Sequence, residues 1–213
     1  MKSKLLLIGG GGHCKSVIDS LNSSEQYKIV GVVDRKDKIG QTVCNIDIMY
    51  CDDNLNELFS KGMTNAFITV GSIGDTYFRE KMYLKLKKIG FTFPNIIDKT
   101  AAVAKSVKLG EGIYIGKNAI INSDSCINNM AIINSGSIIE HDCYIGNFVH
   151  ASPGSVLCGN VTIGDNCHIG ANSTIIQGIK IAENNIIGAG SVVIKDIESQ
   201  NNTYVGNPCR IIK

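Results

Sequence analysis

Several features that define large protein classes are missing from this chain of 213 residues. No apolar run approaches the roughly 20 residues that cross a membrane, and the LLLI stretch near the start is too short for the core of a secretory signal peptide. Lys and Arg are scattered and the net charge is only +2, so the chain has no basic stripe of the kind that binds nucleic acid. These absences predict a cytoplasmic protein with neither a membrane nor a nucleic-acid partner.

Cysteine spacing and tryptophan content exclude further classes. The eight cysteines form no Cys-x-x-Cys pair and no zinc-type spacing, and the sequence contains no tryptophan. In a reducing compartment such cysteines are usually small apolar fillers. Apolar residues make up 44% of the chain, which is a globular composition, and its length suits one large or two small domains.

A six-residue repeat runs without a slip through the second half of the chain. Every sixth residue from Val103 to Val193 is aliphatic, and most residues four positions further on are Ala, Ser, Cys or Val. An α-helix would place residues six apart on different faces, so short strands joined by tight corners fit better. We expect both sets to point inward, and the Gly or Asn that often follows the aliphatic residue to occupy corners with left-handed backbone angles.

Residues 1 to about 97 follow a different pattern, in which strands and helices alternate. The sequence predicts strands over 4–8, 28–34 and 66–70, and helices over 12–21 and 76–88. This order is typical of a small parallel α/β domain of the Rossmann-like type. We therefore predict two domains, spanning residues 1–97 and 98–213.

A glycine-rich turn, GGGGHCK at residues 9–15, connects the first strand to the first helix. Its bare amides and the helix dipole favour a phosphate group. With Asp34 closing the next strand the pattern approaches a dinucleotide-binding fingerprint, but Cys14 replaces its third glycine. A diphosphate-linked ligand needs only the loop and is favoured; NAD and a turn that serves only close packing remain as alternatives.

Three of the four histidines lie in the repeat at positions outside the inward-pointing sets. His141 lies between Glu140 and Asp142, either of which could orient one ring nitrogen and make the other more basic. His150 and His168 are one coil apart, so they should stack on the outer surface at about 4.8 Å. A solvated surface role and a zinc site shared between subunits are the alternatives. His141 is favoured as an acid–base group, because a solenoid without inserted loops must build any site from outward side chains, completed by a neighbouring subunit.

The hexapeptide pattern resembles the left-handed parallel β-helix of the hexapeptide acyltransferases, in which three hexapeptides make one triangular coil. The whole chain resembles the family of sialic-acid O-acetyltransferases and nucleotide-sugar N-acetyltransferases. The turn GGGGH resembles its G-x-S-G-H loop, the segment SIIEHD at 137–142 its S-x-I-E-H-E segment, and YVGNP at 204–208 its C-terminal V-G-x-P.

This resemblance implies a homotrimer that uses acetyl-CoA, and no metal, to acetylate the amino group of a nucleotide-linked amino-deoxy sugar. His141 would be the general base and Asp142 would raise its basicity. Residues implied to contact the nucleotide sugar are Gly11, Gly12, His13, Asp34, Arg35 and Gly71. Residues implied to contact acetyl-CoA are His150, Ala171 and Ala189, the two alanines along the pantetheine arm.

Three departures from the family pattern affect these expectations. Asp142 replaces a glutamate and has a shorter reach. Arg35 stands where the member that acts on a UDP-sugar has a second aspartate, which leaves the nucleotide base open. Cys209 replaces a usual alanine in the tail, and His168 has no family counterpart, so we expect it to be structural.

Direct attack within a ternary complex is the expected mechanism, because no Ser or Cys has a plausible base partner for an acyl-enzyme. A backbone amide of the β-helix, such as that of Gly159, would stabilise the tetrahedral oxyanion. Two other functions remain open at this point. One is O-acetylation of sialic acid or another glycan precursor, and the other is a non-catalytic scaffold that binds a nucleotide sugar.

Overall fold

A computed structural model describes residues 2–23 and 26–212, and the chain divides into two compact units. The first unit comprises Met1–Ser72 and Tyr77–Ile96, and the second comprises Ile73–Thr76 and Ile97–Lys213. The sequence pattern gave no sign that the short segment 73–76 groups with the second unit.

The first unit is an α/β domain with a five-stranded sheet in the order β3-β4-β2-β1-β5. All neighbouring pairs are parallel except β3 and β4. The strands are β1 (Ser3–Ile8), β2 (Tyr27–Val33), β3 (Thr42–Val43), β4 (Ile46–Tyr50) and β5 (Ala66–Ile68). The α-helices are α1 (Gly12–Asn22), α2 (Leu55–Ser60) and α3 (Tyr77–Ile89), and short 3-10 helices span Lys36–Lys38 and Asp52–Asn54.

The central strand of this sheet determines where a ligand can bind. Leu5, Leu6 and Leu7 of β1 are completely buried, as expected for a parallel strand covered on both faces. β2 pairs with one side of β1 and β5 with the other, so the strand order reverses at β1. Such a reversal opens a crevice at the carboxyl ends of the strands, where open α/β sheets bind their ligands.

The second unit is a parallel β-helix, as predicted, in which each two-residue strand pairs with the strand one coil, or 18 residues, further on. We name its three sheets walls 1, 2 and 3. Wall 1 contains β7 (Ala102–Val103), β10 (Ile120–Ile121), β13 (Ile138–Ile139), β16 (Val156–Leu157), β19 (Thr174–Ile175) and β22 (Val192–Val193). Wall 2 contains β8 (Lys108–Leu109), β11 (Cys126–Ile127), β14 (Tyr144–Ile145), β17 (Thr162–Ile163) and β20 (Lys180–Ile181). Wall 3 contains β6 (Ile96–Ile97), β9 (Tyr114–Ile115), β12 (Ile132–Ile133), β15 (His150–Ala151), β18 (His168–Ile169), β21 (Ile186–Ile187), β23 (Thr203–Gly206) and β24 (Cys209–Ile211).

The core of the β-helix consists of the two predicted inward sets. Ile133, Ile139 and Ile145 of successive walls are fully buried, and so is Ser137 of the small set. Burial of each isoleucine contributes roughly 1.5–3 kcal/mol, and stacking repeats the contribution in every coil. Ser137 avoids an unsatisfied hydroxyl because its Oγ donates to the carbonyl oxygen of Ser152 at 2.9 Å.

The predicted position of the left-handed corners was wrong. Positive φ angles recur every six residues from Gly112 to Gly190, three residues after the aliphatic position and not directly after it. The glycines that follow the aliphatic residue have a different role. A Cβ on Gly164 would lie 2.6 Å from the amide nitrogen of Glu183 in the next coil, so glycine is needed there for close approach of two backbones.

No helix within the described part of the chain is both long enough and apolar enough to span a membrane.

Candidate active site

A cavity of about 640 Å³ lies in the α/β unit at the reversal of strand order. Its walls include the loop after β1, the residues after β2 and the residues after β5, because the carboxyl ends of these strands meet at one edge of the sheet. All the residues predicted to contact the nucleotide sugar line this cavity: Gly11, Gly12, His13, Asp34, Arg35 and Gly71.

The four glycines of the loop are present for different structural reasons. Gly9 has a φ of +106°, which side chains rarely adopt, and Gly10 donates its amide hydrogen to Asp34 Oδ2 at 2.7 Å. A Cβ on Gly11 or Gly12, by contrast, would meet no protein atom within 4 Å. The backbone angle therefore requires glycine at Gly9, and Ile48 Cδ1 would lie 3.0 Å from a Cβ on Gly10, whereas the last two glycines leave open space and bare backbone at the cavity, which suits a bound ligand.

The N-terminus of α1 is uncapped. Gly11 is the N-cap residue and has no side chain that could cap the helix, and the first turn contains no acidic residue. The positive end of the helix dipole therefore favours an anion here. The arrangement fits a phosphate or diphosphate group.

Charged residues that sequence reasoning missed lie at the rim of the same cavity. Lys36 pairs with Asp53 at 2.7 Å, and this hydrogen bond and charge hold the pKa of the Asp53 carboxyl below its usual range. Asp52 also lines the cavity and lies 3.3 Å from Lys85. The detectable signal was their position directly after β2 and β4, on the same sheet edge as the glycine-rich loop.

In the β-helix, the structure selects Asp142 as the partner of His141. The two side chains are joined by a hydrogen bond of 2.8 Å between His141 Nδ1 and Asp142 Oδ2, so the shorter aspartate reaches the ring. This bond, the largest cause, raises the pKa of His141; the charges of Asp142 and Glu140 act in the same direction, and partial desolvation opposes them. The carboxylate therefore holds a proton on Nδ1 and leaves Nε2 as the basic nitrogen.

Gly159, one coil after His141, provides the space for its imidazole ring. A Cβ on Gly159 would lie 2.6 Å from both Nε2 and Cε1 of His141. Within the described residues, the amide of Gly159 donates to no acceptor, although the amides of its neighbours Cys158 and Asn160 do. A basic nitrogen and a free backbone donor therefore lie on the same corner of the β-helix, which is the pair that acyl transfer requires.

The predicted pairing of His150 and His168 is present, with two differences. The residues are in register on wall 3, but their rings meet edge to face, with centroids 5.1 Å apart and planes at 79°. Only 8% of His168 is exposed, so neighbouring residues cover it although it lies outside the inward-pointing sets. Burial lowers the pKa of His168, whose Nδ1 has no hydrogen-bond partner among the described residues, and so the neutral form is favoured.

The hydrogen bonds of Asn134 determine the tautomer of His150. Asn134 Oδ1 accepts from the amide of Ser135 at 2.8 Å, which orients the side-chain amide and directs Nδ2 toward His150. Asn134 Nδ2 then donates to His150 Nε2 at 3.2 Å. His150 Nε2 is therefore the accepting nitrogen, and Nδ1 carries the proton.

Ala171 and Ala189, predicted along the donor arm, occupy equivalent positions in successive coils at the corner after wall 3. Ala171 is half-buried and Ala189 is exposed. A Cβ on Gly170 would lie 2.5 Å from the amide nitrogen of Ala189, so the two coils are in close backbone contact. Small residues therefore occupy this corner in both coils, Gly170 and Ala171 in one and Gly188 and Ala189 in the next.

No group of three or more His, Cys, Asp or Glu side chains is arranged to hold a metal ion in residues 2–23 and 26–212. The eight cysteines are all free thiols, of which Cys14, Cys51, Cys143 and Cys167 are buried.

Comparison with protein families assigns both halves of the chain. Residues 4–86 match the PglD N-terminal domain, and residues 142–177 and 160–195 match the bacterial transferase hexapeptide (six repeats).

Solved structures similar to the chain extend over its whole length. PerB from Caulobacter crescentus, in complex with CoA and GDP-perosamine, is 34% identical, with 99% of this chain and 97% of that chain covered and a TM-score of 0.92. A histidine-to-alanine mutant of GDP-perosamine N-acetyltransferase from the same organism, also in complex with CoA and GDP-perosamine, is 33% identical, with the same coverage and TM-score. The acetyltransferase domain of PglB from Neisseria gonorrhoeae FA1090, in complex with acetyl coenzyme A, is 28% identical over 100% of both chains, with a TM-score of 0.89.

Together, the strand-order reversal with its glycine-rich loop, the histidine held on the β-helix and these matches establish the family. The chain belongs to the hexapeptide-repeat nucleotide-sugar N-acetyltransferases that carry a PglD-type N-terminal domain.

Proposed function

We propose that the protein transfers the acetyl group of acetyl-CoA to the amino group of a nucleotide-linked amino-deoxy sugar. The observation that carries this proposal is the arrangement of His141, whose Nδ1 is held by Asp142 at 2.8 Å while Nε2 faces the space left by Gly159. A GDP-linked 4-amino sugar is the first acceptor to consider, because a relative with 34% identity is bound to GDP-perosamine.

The α/β unit binds the nucleotide part of the acceptor. The uncapped N-terminus of α1 and the bare amides of Gly11 and Gly12 suit the diphosphate, and Asp34, Arg35 and the rim charges surround the remaining space. This remote binding energy positions the sugar amine for attack. The cavity supports an acceptor linked to a diphosphate over free sialic acid.

The chemical step is a direct transfer that needs no covalent enzyme intermediate. The lone pair of the sugar amine attacks the thioester carbonyl carbon while His141 Nε2 accepts a proton from the nitrogen. The amide of Gly159 donates to the oxyanion of the tetrahedral intermediate. Collapse of that intermediate breaks the carbon–sulfur bond, His141 returns the proton to the thiolate, and the products are free CoA and an N-acetyl sugar.

Donor binding involves His150, Ala171 and Ala189 in this proposal. His150 contacts the pantetheine arm from wall 3, with its ring oriented by Asn134 Nδ2 at 3.2 Å from Nε2. The backbone surface at Ala171 and Ala189 provides an even path along the β-helix, on which the arm lies extended.

A homotrimer completes the site. The outward side chains of wall 1 form a largely apolar column without a charged residue: Ala102, Ile120, Ile138, Val156, Thr174 and Val192. Wall 2, by contrast, carries lysines at both ends of its outward column, Lys108 and Lys180. A second copy of the chain covers wall 1 and brings its own outward side chains to the donor.

We place the reaction in the cytoplasm, in the synthesis of a glycan precursor. Acetyl-CoA and nucleotide sugars are activated intracellular metabolites, and eight free cysteines suit a reducing compartment.

Steady-state kinetics with acetyl-CoA and a panel of acceptors test the proposal. The panel contains GDP-, UDP- and dTDP-linked 4-amino-4,6-dideoxy sugars, their 4-hydroxy analogues and free sialic acid. We expect CoA release with an amino acceptor and a product heavier by one acetyl group. Turnover only with a hydroxyl acceptor would identify an O-acetyltransferase instead, and binding without turnover would identify a scaffold.

A further inference from the structure

A buried arginine that the proposed chemistry does not use lies on a helix that borders the acceptor cavity. Arg79 is only 2% exposed and belongs to α3, which contributes Phe78 and Met82 to the cavity wall. Burial lowers the pKa of Arg79 to about 10, so the guanidinium is still charged at neutral pH. A buried charge destabilises a protein unless it is hydrogen-bonded, and an apolar side chain of similar size would fill the same space. Packing alone therefore does not explain this residue.

The position of Arg79 within its helix makes the charge still less favourable. α3 begins at Tyr77, so Arg79 lies in the first turn, where the positive end of the helix dipole disfavours a cation. Glu80, in the same turn, has the charge that the dipole favours. An arginine at such a place indicates a specific contact of its guanidinium.

That contact is with the turn that follows β5. Arg79 Nη1 donates to Ser72 Oγ at 3.2 Å, and both residues are buried. Ser72 comes directly after Val70 and Gly71, which line the acceptor cavity. The guanidinium therefore fixes the far end of the turn that presents its backbone to the cavity.

The near end of the same turn is fixed to the glycine-rich loop. Thr69 is fully buried, and its Oγ1 donates to the carbonyl oxygen of Gly9 at 2.5 Å. Between the two buried hydrogen bonds lie Val70 and Gly71, and a Cβ on Gly71 would be 3.6 Å from Cβ of His13. The position of this turn consequently sets the space that is left for a ligand beside His13.

We propose that Arg79 is a positioning residue for the acceptor, which acts through Ser72 to hold Val70 and Gly71 where their backbone meets the nucleotide sugar. The inference rests on the proposed function, because it assigns the cavity of the α/β unit to the acceptor. It requires a split between the two substrates: loss of Arg79 weakens binding of the nucleotide sugar and leaves binding of acetyl-CoA unchanged. A residue that only stabilised the fold would lower the fraction of active enzyme, and hence kcat, without such a split.

Steady-state kinetics with GDP-, UDP- and dTDP-linked 4-amino-4,6-dideoxy sugars, and calorimetry with GDP, UDP and dTDP, test this role in the full chain. Arg79→Met keeps an apolar stem and removes the charge. It should raise the KM for the accepted sugar, and the Kd for its nucleoside diphosphate, at least about tenfold, with the KM for acetyl-CoA within about threefold of the wild type. Ser72→Ala should raise the same two values by about three- to tenfold, since it removes one acceptor of the guanidinium.

A double variant and a matched control complete the set. The double variant Arg79→Met, Ser72→Ala should be no worse than Arg79→Met alone, because the two residues share one interaction. The control Lys81→Met removes a positive charge from the exposed face of the same helix and should behave like the wild type with both substrates. Melting temperatures verify that each variant is folded at the assay temperature.

The outcomes separate this inference from the proposed function. If Arg79→Met or Ser72→Ala keeps the wild-type KM for the sugar, or if the KM values for sugar and acetyl-CoA rise by the same factor, the positioning role is wrong while the proposed function stands. Should Arg79→Met fail to fold, Ser72→Ala decides alone, because it removes only a hydroxyl group. If the wild type binds none of the three nucleoside diphosphates and acetylates none of the three sugars, the proposed function fails and the inference fails with it.

Discussion

Asp142 meets two requirements at one position of the repeat. It occupies a corner with a φ of +61°, and its carboxylate holds Nδ1 of His141. Asparagine occupies the same corner position elsewhere, as at Asn118 and Asn160, so Asp142→Asn should preserve the backbone. The substitution removes the charge on the carboxylate and leaves the side-chain shape nearly unchanged.

We predict that Asp142→Asn moves the pH dependence of catalysis to lower pH. His141 must be neutral to accept a proton, so kcat/KM falls as pH drops through its pKa, which Asp142 raises. Without the carboxylate that pKa falls, the acidic limb shifts downward, and the plateau rate drops by about tenfold because the base is weaker. Profiles of kcat/KM between about pH 5 and pH 9 measure both effects. An acidic limb at the wild-type pH would show that this pair does not control the base.

Gly159 allows a second test of the same corner. Its φ lies outside the left-handed region, so alanine is not strained there, but the added methyl group would occupy the place of the His141 ring. Gly159→Ala should lower kcat by roughly 10²-fold or more, with the melting temperature within a few degrees of the wild type. Stopped assays and thermal unfolding measure the two effects. Wild-type turnover in this variant would contradict the position assigned to the base.

The six-residue repeat indicates which side chains point outward, and this limits what the sequence could predict about these residues. The period identifies which side chains leave the core, so Glu140, His141 and Asp142 were detectable as charged residues in an apolar rhythm. The choice of Asp142 over Glu140 and the contact with Gly159 depend on corner geometry between coils. The burial of His168 was not predictable, because the period indicates which residues face outward but not which of them are then covered.

The glycines of the β-helix have two roles: some allow close contact between coils, and others occupy corners with positive φ. Gly164 lies against the backbone of the next coil, whereas Gly178 has a φ of +74° and no atom near the place of a Cβ. Sequence predicted the strands, because a strict period needs no tertiary information, but it placed the left-handed positions wrongly. It also left β3, β4 and α2 undetected, since elements of two to six residues carry too few periodic positions.

A matched pair of substitutions tests this distinction. Gly164→Ala should destabilise the protein by about 1–3 kcal/mol, because the new Cβ would force two coils apart. Gly178→Asn should be neutral or slightly stabilising, since asparagine accepts left-handed angles and reduces the freedom of the unfolded chain. Thermal or urea unfolding of both variants gives the comparison. Equal destabilisation by the two would contradict the separate roles of the two glycine sets.

In the proposed function the donor site lies between the β-helices of two subunits, so a single chain contains only part of it. We predict a native mass of three times 22.9 kDa by light scattering. Val156→Lys, in the apolar column of wall 1, should dissociate the trimer and abolish most activity, because a lysine charge cannot be buried unpaired at an interface. Thr162→Lys, an outward position of wall 2 in the same coil, is the control and should stay trimeric. A wild-type protein with the mass of one chain at micromolar concentration would contradict the proposed assembly.

The central claim is that His141 acts as the general base in acetyl transfer to an amine. The most direct measurement compares kcat of His141→Ala with that of the wild type at saturating acetyl-CoA and nucleotide-linked amino sugar, together with calorimetric affinities for both substrates. We predict a fall in kcat of roughly 10²–10⁴-fold with both affinities within a few-fold of the wild type. A variant that turns over at the wild-type rate would contradict it.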